Sequence, residues 1–315
     1  MFVFFLSAFS GGLFLYFICF PAEGFAAAAE GLLLWYRSLV PTLFPMMILS
    51  SLLLKTNVTR KISIVLSRSL QKFIPLSADS FYAIFIGFLC GCPMGAKTLS
   101  DLSNSNNVSQ NERLFLAAVI NNISPAFLSN YLVAQHMGDT ALQRPTLLIL
   151  YGAPVIYAFF SLPISLKKVQ TEKLKKNISY SQTKNKTSPT GLQFSVVDVC
   201  ISDGVSNITK LGGYIVLFSI LASMIEHLPI QAPLPKALLL GITEVSVGIH
   251  AVAALPLTFS VKYLLFITVS AFGGLCCAAQ SAQFLKNAGV PVHIYLRDKL
   301  CITLIAVLLA AIFVY

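Results

Sequence analysis

The sequence predicts an all-α polytopic membrane protein, and three observations carry the prediction. Only 11% of the 315 residues are charged and 56% are hydrophobic, against about 25% charged in soluble domains. Mean hydropathy is +0.79, too apolar for a chain that must show water a polar face all round. Apolar runs recur from one end to the other at close to the ~20 residues needed to cross the hydrocarbon core. A transmembrane β-barrel would alternate apolar and polar residues instead.

The clearest runs are Phe2–Phe20, Thr146–Leu166, Leu211–Ile225, Tyr263–Gly274 with its neighbours, and Leu300–Tyr315. Less pure ones are Gly24–Val40, Phe44–Leu54, Phe81–Leu89, Leu114–Val133 and Ala237–Leu255. Together they predict roughly eight to ten membrane segments, broken or re-entrant helices included. Residues 1–23 lack a basic leader, and Phe20-Pro21-Ala22-Glu23 is a poor cleavage site. They read as an N-terminal membrane helix rather than a signal peptide.

A net charge of +10 would suit nucleic acid, but the positions of the basic residues argue against it. Lys55, Arg60, Lys61, Arg68 and Lys72 share one loop between apolar runs. Lys167, Lys168, Lys173, Lys175, Lys176, Lys184 and Lys186 share another. Such clustering is the positive-inside signal and places both loops in the cytoplasm, against anionic lipid. The seven cysteines fall almost wholly within apolar runs and show no zinc spacing, so they read as small fillers, with no metal or other cofactor implied.

Residues 167–193, rich in Lys, Asn, Ser and Thr, form a basic cytoplasmic linker. It separates two halves, 24–166 and 194–315, that echo one another. Gly31 with Arg37 recurs as Gly204 with Lys210, and Gly87 and Gly95 recur as Gly241 and Gly248. Asn121-Asn122 falls opposite Gly273-Gly274, and Arg144 opposite Arg297. Repeated halves with a site between them are the common plan of secondary transporters.

The chemistry-bearing residues lie where apolar runs are interrupted. Gly91-Cys-Pro93-Met-Gly95-Ala-Lys97-Thr98 looks like a P-loop. However, only three residues separate its glycines, Ala96 intervenes before the lysine, and Pro93 removes a donor from a loop that works by donating. It reads instead as a fresh helix start at membrane depth, where exposed N–H groups favour an anion. Lys97 either neutralises Asp101 one turn on, or is held by it and aimed at an anionic solute. Asn121-Asn122-Ile-Ser124-Pro125 either bonds a polar solute or satisfies backbone groups that the proline frees.

Glu244 lies among Leu, Ile and Val, and an intramembrane carboxylate is a functional candidate by default. It would carry a proton, join the coordination shell of a cation, or pair with Lys97. Thr243, Ser246 and Gln280 are weaker candidates, because small-residue helix packing also accounts for them. His227 and His250 read as interfacial or structural. No H-E-x-x-H or G-x-S-x-G occurs, so the sequence does not read as an enzyme.

In this order the stretches resemble the YlbJ-type sporulation integral membrane protein family, which carries nucleoside-recognition (Gate) domains. The resemblance rests on Pro41-Thr-Leu-Phe-Pro45, Gly91-Cys-Pro-Met-Gly-Ala-Lys97 with Asp101, and Asn121-Asn-Ile-Ser-Pro125. It continues through Gly212-Gly-Tyr-Ile-Val-Leu-Phe-Ser219, Glu244 between its glycines, and Phe272-Gly-Gly-Leu275 with Gln280. These cover the chain from about Gly31 to its end. The resemblance implies a Gate-like repeat in each half, an architecture similar to concentrative nucleoside transporters, and a multi-pass place in the bacterial cell membrane, the forespore outer membrane during sporulation. It also implies the movement of dipicolinic acid from mother cell toward forespore, with a homo-oligomer compatible.

The chain departs from the expected pattern at Cys92, at Asn121-Asn122 and in the short loop Pro229–Pro235. On that reading the solute is a planar dianion. It would be met by two broken-helix N-termini and Lys97, with Gly91, Pro93, Gly95, Asn121, Asn122, Ser124 and Gln280 around it. Asp101 and Glu244 would pair charge or couple a proton or sodium ion.

Overall fold

The computed structural model describes residues 2–55, 76–103, 108–176 and 194–315. All regular structure among them is helical. Helix α1 (Phe2–Cys19) ends at Phe20, and α2 (Pro21–Leu34) starts with proline at its first position, the place where a missing N–H costs nothing. The two apolar stretches meet at 116°. A π-helical turn, Trp35–Leu39, joins α2 to α3 (Val40–Lys55).

The rest of the first half is α4 (Ala78–Cys90), α5 (Met94–Ser103), α6 (Gln110–Val119) and α7 (Pro125–Phe127), which continues as π-helix over Leu128–Met137. Then comes α8 (Gln143–Lys176). Local sequence explains the starts. Ser77 caps α4, Ser109 and Glu112 form a reciprocal capping box on α6, and Ser124 caps α7 ahead of Pro125. Helix α8 runs ten residues into the stretch expected to be linker, over 167–176, where Lys, Glu, Gln and Leu are good helix formers. Residues 177–193, with Lys184 and Lys186, lie outside the described residues, as do Arg60, Lys61, Arg68 and Lys72.

The second half runs α9 (Phe194–Glu226), α10 (Pro233–Thr243), α11 (Val245–Ala254), α12 (Phe259–Phe272), α13 (Gly274–Asn287) and α14 (Val292–Val314). The order of broken helix, broken helix, long helix thus occurs on each side of 177–193.

The leading helices of the halves pack antiparallel. Gly31 abuts Ser219, Gly212 abuts Trp35, Gly204 abuts Phe44, and Lys55 Nζ reaches Asp203 at 3.4 Å. Small residues allow this approach, and Trp35 Nε1 fixes it by donating to the Ile208 carbonyl at 2.8 Å.

Three stretches among the described residues are long and apolar enough to cross a membrane: Thr140–Ser161, Phe194–Glu226 and Phe259–Asn287. The bent pair of α1 and α2 would make a fourth. Several of the apolar segments read from the sequence are shorter helices that meet end to end at breaks, such as Pro233–Thr243 and Val245–Ala254.

Helix α14 shows the orientation most clearly. Leu300, Leu304, Leu308 and Ile312 are exposed along one face, while Tyr295, Lys299, Ile302 and Ala306 are buried on the other. Apolar outside with charge inside is what a lipid solvent selects.

Candidate functional site

The first break lies between α4 and α5. Gly91 has φ +74°, in the left-handed region that favours glycine, and the Cys92–Pro93 peptide is cis. The second lies between α6 and α7, at Asn121–Ser124. The two fit backbone to backbone. A Cβ on Gly87 or Gly95 would run into the Ile120 carbonyl oxygen, and one on Gly91 would stand 2.6 Å from the Ser124 nitrogen. Cys92 N donates to the Asn122 carbonyl at 2.5 Å, which stitches the breaks together. Asn122 Nδ2 donates to the Val119 carbonyl at 2.6 Å and Tyr151 Oη to the Ile123 carbonyl at 2.7 Å. Three carbonyls at the break, those of Val119, Asn122 and Ile123, are thereby satisfied, as an apolar medium demands.

The second half has its own pair of breaks. Glu244 is extended (φ −145°, ψ 130°) between α10 and α11. Its carboxylate accepts from Val247 N at 2.9 Å and from the Ser246 hydroxyl. Glu244 is therefore the N-cap of α11, its charge at the positive end of that helix. This role was not among those expected for it, and pairing with Lys97 is not seen. The other break is Gly273-Gly274, both at positive φ. A Cβ on Gly274 would come within 3.4 Å of Glu244 Cα, so these two breaks also face each other.

Between the pairs lies a cavity of 60 Å³, room for several waters. Cys92, Ile123, Ser124 and Phe127 line it from the first half, and Glu244, Val245, Cys277 and Gln280 from the second. Leu34, Leu39, Leu43, Leu211 and Ile215 close the apolar side. Two thiols, a hydroxyl, a carboxyl and an amide thus converge from both halves on one space. Gln280 Nε2 donates to Cys276 Sγ at 3.0 Å, and Ser124 Oγ accepts from Phe127 N at 3.3 Å.

Lys97 lies elsewhere. It is buried, and its ammonium donates to Asp101 at 2.7 Å and to Ser51 Oγ at 3.2 Å. It lines none of the described cavities. The contact with Asp101 is common to both alternatives for this residue. Gly91, Pro93 and Gly95 shape the break from behind and do not line the cavity.

Asn121 and Asn122 point away from the cavity into a buried polar cluster that the sequence did not suggest. Asn121 Nδ2 donates to Ser281 Oγ at 2.7 Å and Tyr295 Oη at 3.0 Å. Lys299 Nζ, 3% exposed, donates to Asn122 Oδ1 at 2.8 Å. The sequence held one signal for it: over 292–314, positions 295, 299, 302 and 306 share a helix face. Opening the apolar run at Leu300 left that face unread.

A wider cleft of 460 Å³ lies between α2, α9 and α11. Glu23, Glu30, Glu226, His227 and His250 line it, and Ser246, which binds the Glu244 carboxylate, forms part of its wall.

The fold and these paired breaks define an all-α membrane protein with a mostly apolar cavity between its halves, into which a few polar groups project. Its sequence is similar to that of the sporulation integral membrane protein YlbJ of Bacillus subtilis (strain 168), with 23% identity over 303 residues, covering 87% of this chain and 73% of that protein. The alignment supports the YlbJ-type family across the chain. No protein-family model and no solved structure matches the chain.

Proposed function

We propose that the protein is a secondary transporter that carries a small anionic metabolite, dipicolinic acid, across a membrane during sporulation. The observation that carries this reading is the cavity between Cys92, Ser124, Glu244 and Gln280, built where four helix breaks from two halves meet. Discontinuous helices around a cavity with a few convergent polar groups suit alternating access, in which one half rocks against the other. At 60 Å³ the cavity is well below the few hundred Å³ of ligand pockets, so the halves would part to admit a solute. Glu244 is the coupling group on this reading. The acidic cleft beside it gives a proton or sodium ion an approach through Ser246. On this reading the protein does no chemistry on its solute. The relative's sporulation name and the apolar surface support a membrane location; the finer reading is the cell membrane, and within it the forespore outer membrane.

One observation favours a second reading. The cavity lining holds a carboxylate and an amide but no basic residue, which suits a neutral nucleoside or nucleobase. Proteoliposomes containing the full chain separate the two. Labelled dipicolinate should accumulate, respond to an imposed proton or sodium gradient, and resist competition by excess uridine. Uptake of labelled uridine with none of dipicolinate would establish the second reading. Uptake of neither would overturn both.

A further inference from the structure

We infer that Lys299, held by Asn122 one layer behind the cavity wall, is the group that recognises a carboxylate on the solute. The inference rests on the transport reading above and gives it the cation that the cavity lining lacks.

Lys299 carries an ammonium group, and its described hydrogen bond goes to a neutral amide oxygen, Asn122 Oδ1, at 2.8 Å. The carboxylate next to it in sequence, Asp298, is engaged by Arg297 at 2.7 Å. Lys97 shows the contrast, because its burial is matched by Asp101. A buried charge calls for an opposite charge or a full set of hydrogen bonds. Among the described residues its other two N–H groups have neither, so they are available to an anion.

A second buried group in the cluster is also incompletely paired. Asn121, 1% exposed, donates twice through its amide nitrogen while its oxygen has no partner among the described residues. The cluster therefore holds unused capacity for both a donor and an acceptor.

The route from cavity to cluster is short. Cys92 lines the cavity, its N–H is bound to the Asn122 carbonyl, and its sulfur meets Ser281 Oγ at 3.4 Å. Displacing Cys92 would join the two spaces. The carboxylate would then replace Asn122 as acceptor for Lys299, with the Ser281 and Tyr295 hydroxyls beside it. An aromatic carboxylate fits this arrangement: a charged group to the cluster, a flat apolar body in the Leu- and Phe-lined cavity.

The test is equilibrium binding of labelled dipicolinate and picolinate to the full chain in nanodiscs, with uridine as the neutral control. Lys299→Gln should weaken carboxylate binding by about 30-fold, the loss expected for one charge-assisted contact. Lys299→Arg should keep most of it. Asn122→Asp supplies the decisive variant, since it places a carboxylate against Lys299 with almost no change of shape. If Lys299 serves only to hold the break together, this variant binds as wild type does. If Lys299 recognises the solute, binding falls by about 30-fold; the lost Asn122 Nδ2 donor to the Val119 carbonyl lowers the unfolding temperature under either reading, so the binding ratio alone decides. Wild-type affinity in both Lys299→Gln and Asn122→Asp would overturn the assignment and leave the transport reading standing. Absence of carboxylate binding by the wild-type chain would overturn both.

Discussion

Between Gly91 and Ser124 the chain closes its breaks with neutral donors, whereas at Glu244 it uses a carboxylate of its own. In the first pair a backbone N–H, an asparagine amide and the Tyr151 hydroxyl satisfy three of the freed carbonyls. In the second, Glu244 caps α11 directly. Unwound backbone in an apolar medium must be satisfied in either case, but the electrical result differs. The first pair is neutral and borrows a cation from the last helix, Lys299. The second carries a carboxyl group set at the positive end of a helix. A cavity with a carboxylate in one wall and an ammonium behind the other is polarised across the seam between its halves.

Substitutions at three positions would break or sharpen this comparison. The largest effect is expected from Gly95→Ala, because its Cβ would meet the Ile120 carbonyl, part of a backbone that cannot rotate away. A loss of about 3 kcal/mol should appear as a marked fall in the unfolding temperature in detergent; unchanged unfolding would mean that the two breaks are not in backbone contact. Next comes Glu244→Ala, which removes a cap worth about 1–2 kcal/mol. Glu244→Gln keeps an oxygen acceptor and should recover most of that stability while abolishing the response of uptake to an ion gradient. If Glu244→Gln transports with an intact gradient response, the carboxylate is a cap and nothing more. The smallest effect belongs to Gly273→Ala. Its Cβ would find its nearest neighbour 3.8 Å away, so the cost is confined to the positive φ of +81°. That is about 1 kcal/mol, and a larger fall in unfolding temperature would show the second pair to be as tightly fitted as the first.

These contrasts also show which features were legible in advance. Three of the four breaks are punctuated by glycine or proline, at Gly91 to Pro93, at Ser124-Pro125 and at Gly273-Gly274, and could be placed from the residues alone. The fourth could not. Thr243-Glu244-Val245 contains no breaker, and the apolar run continues on both sides, so Glu244 read as a mid-helix charge. The i, i+4 spacing of Lys97 and Asp101 showed that they could meet. It could not show whether the pair faced a cavity or Ser51, because helix rotation is set by tertiary packing. Lys299 was hidden for a related reason: hydropathy marks where an apolar run begins, while the burial of a charge depends on which face of α14 meets Asn122.

The glycines at 87, 91 and 95 have a mechanical consequence. Side chains between two helices act as cushions, since rotamers can absorb a displacement before it spreads. Here the cushions are missing, and the backbone of residues 120–124 lies directly on that of 87–95. The two breaks of the first half are thereby geared together like a single joint, and a shift at one is handed on undamped to the other.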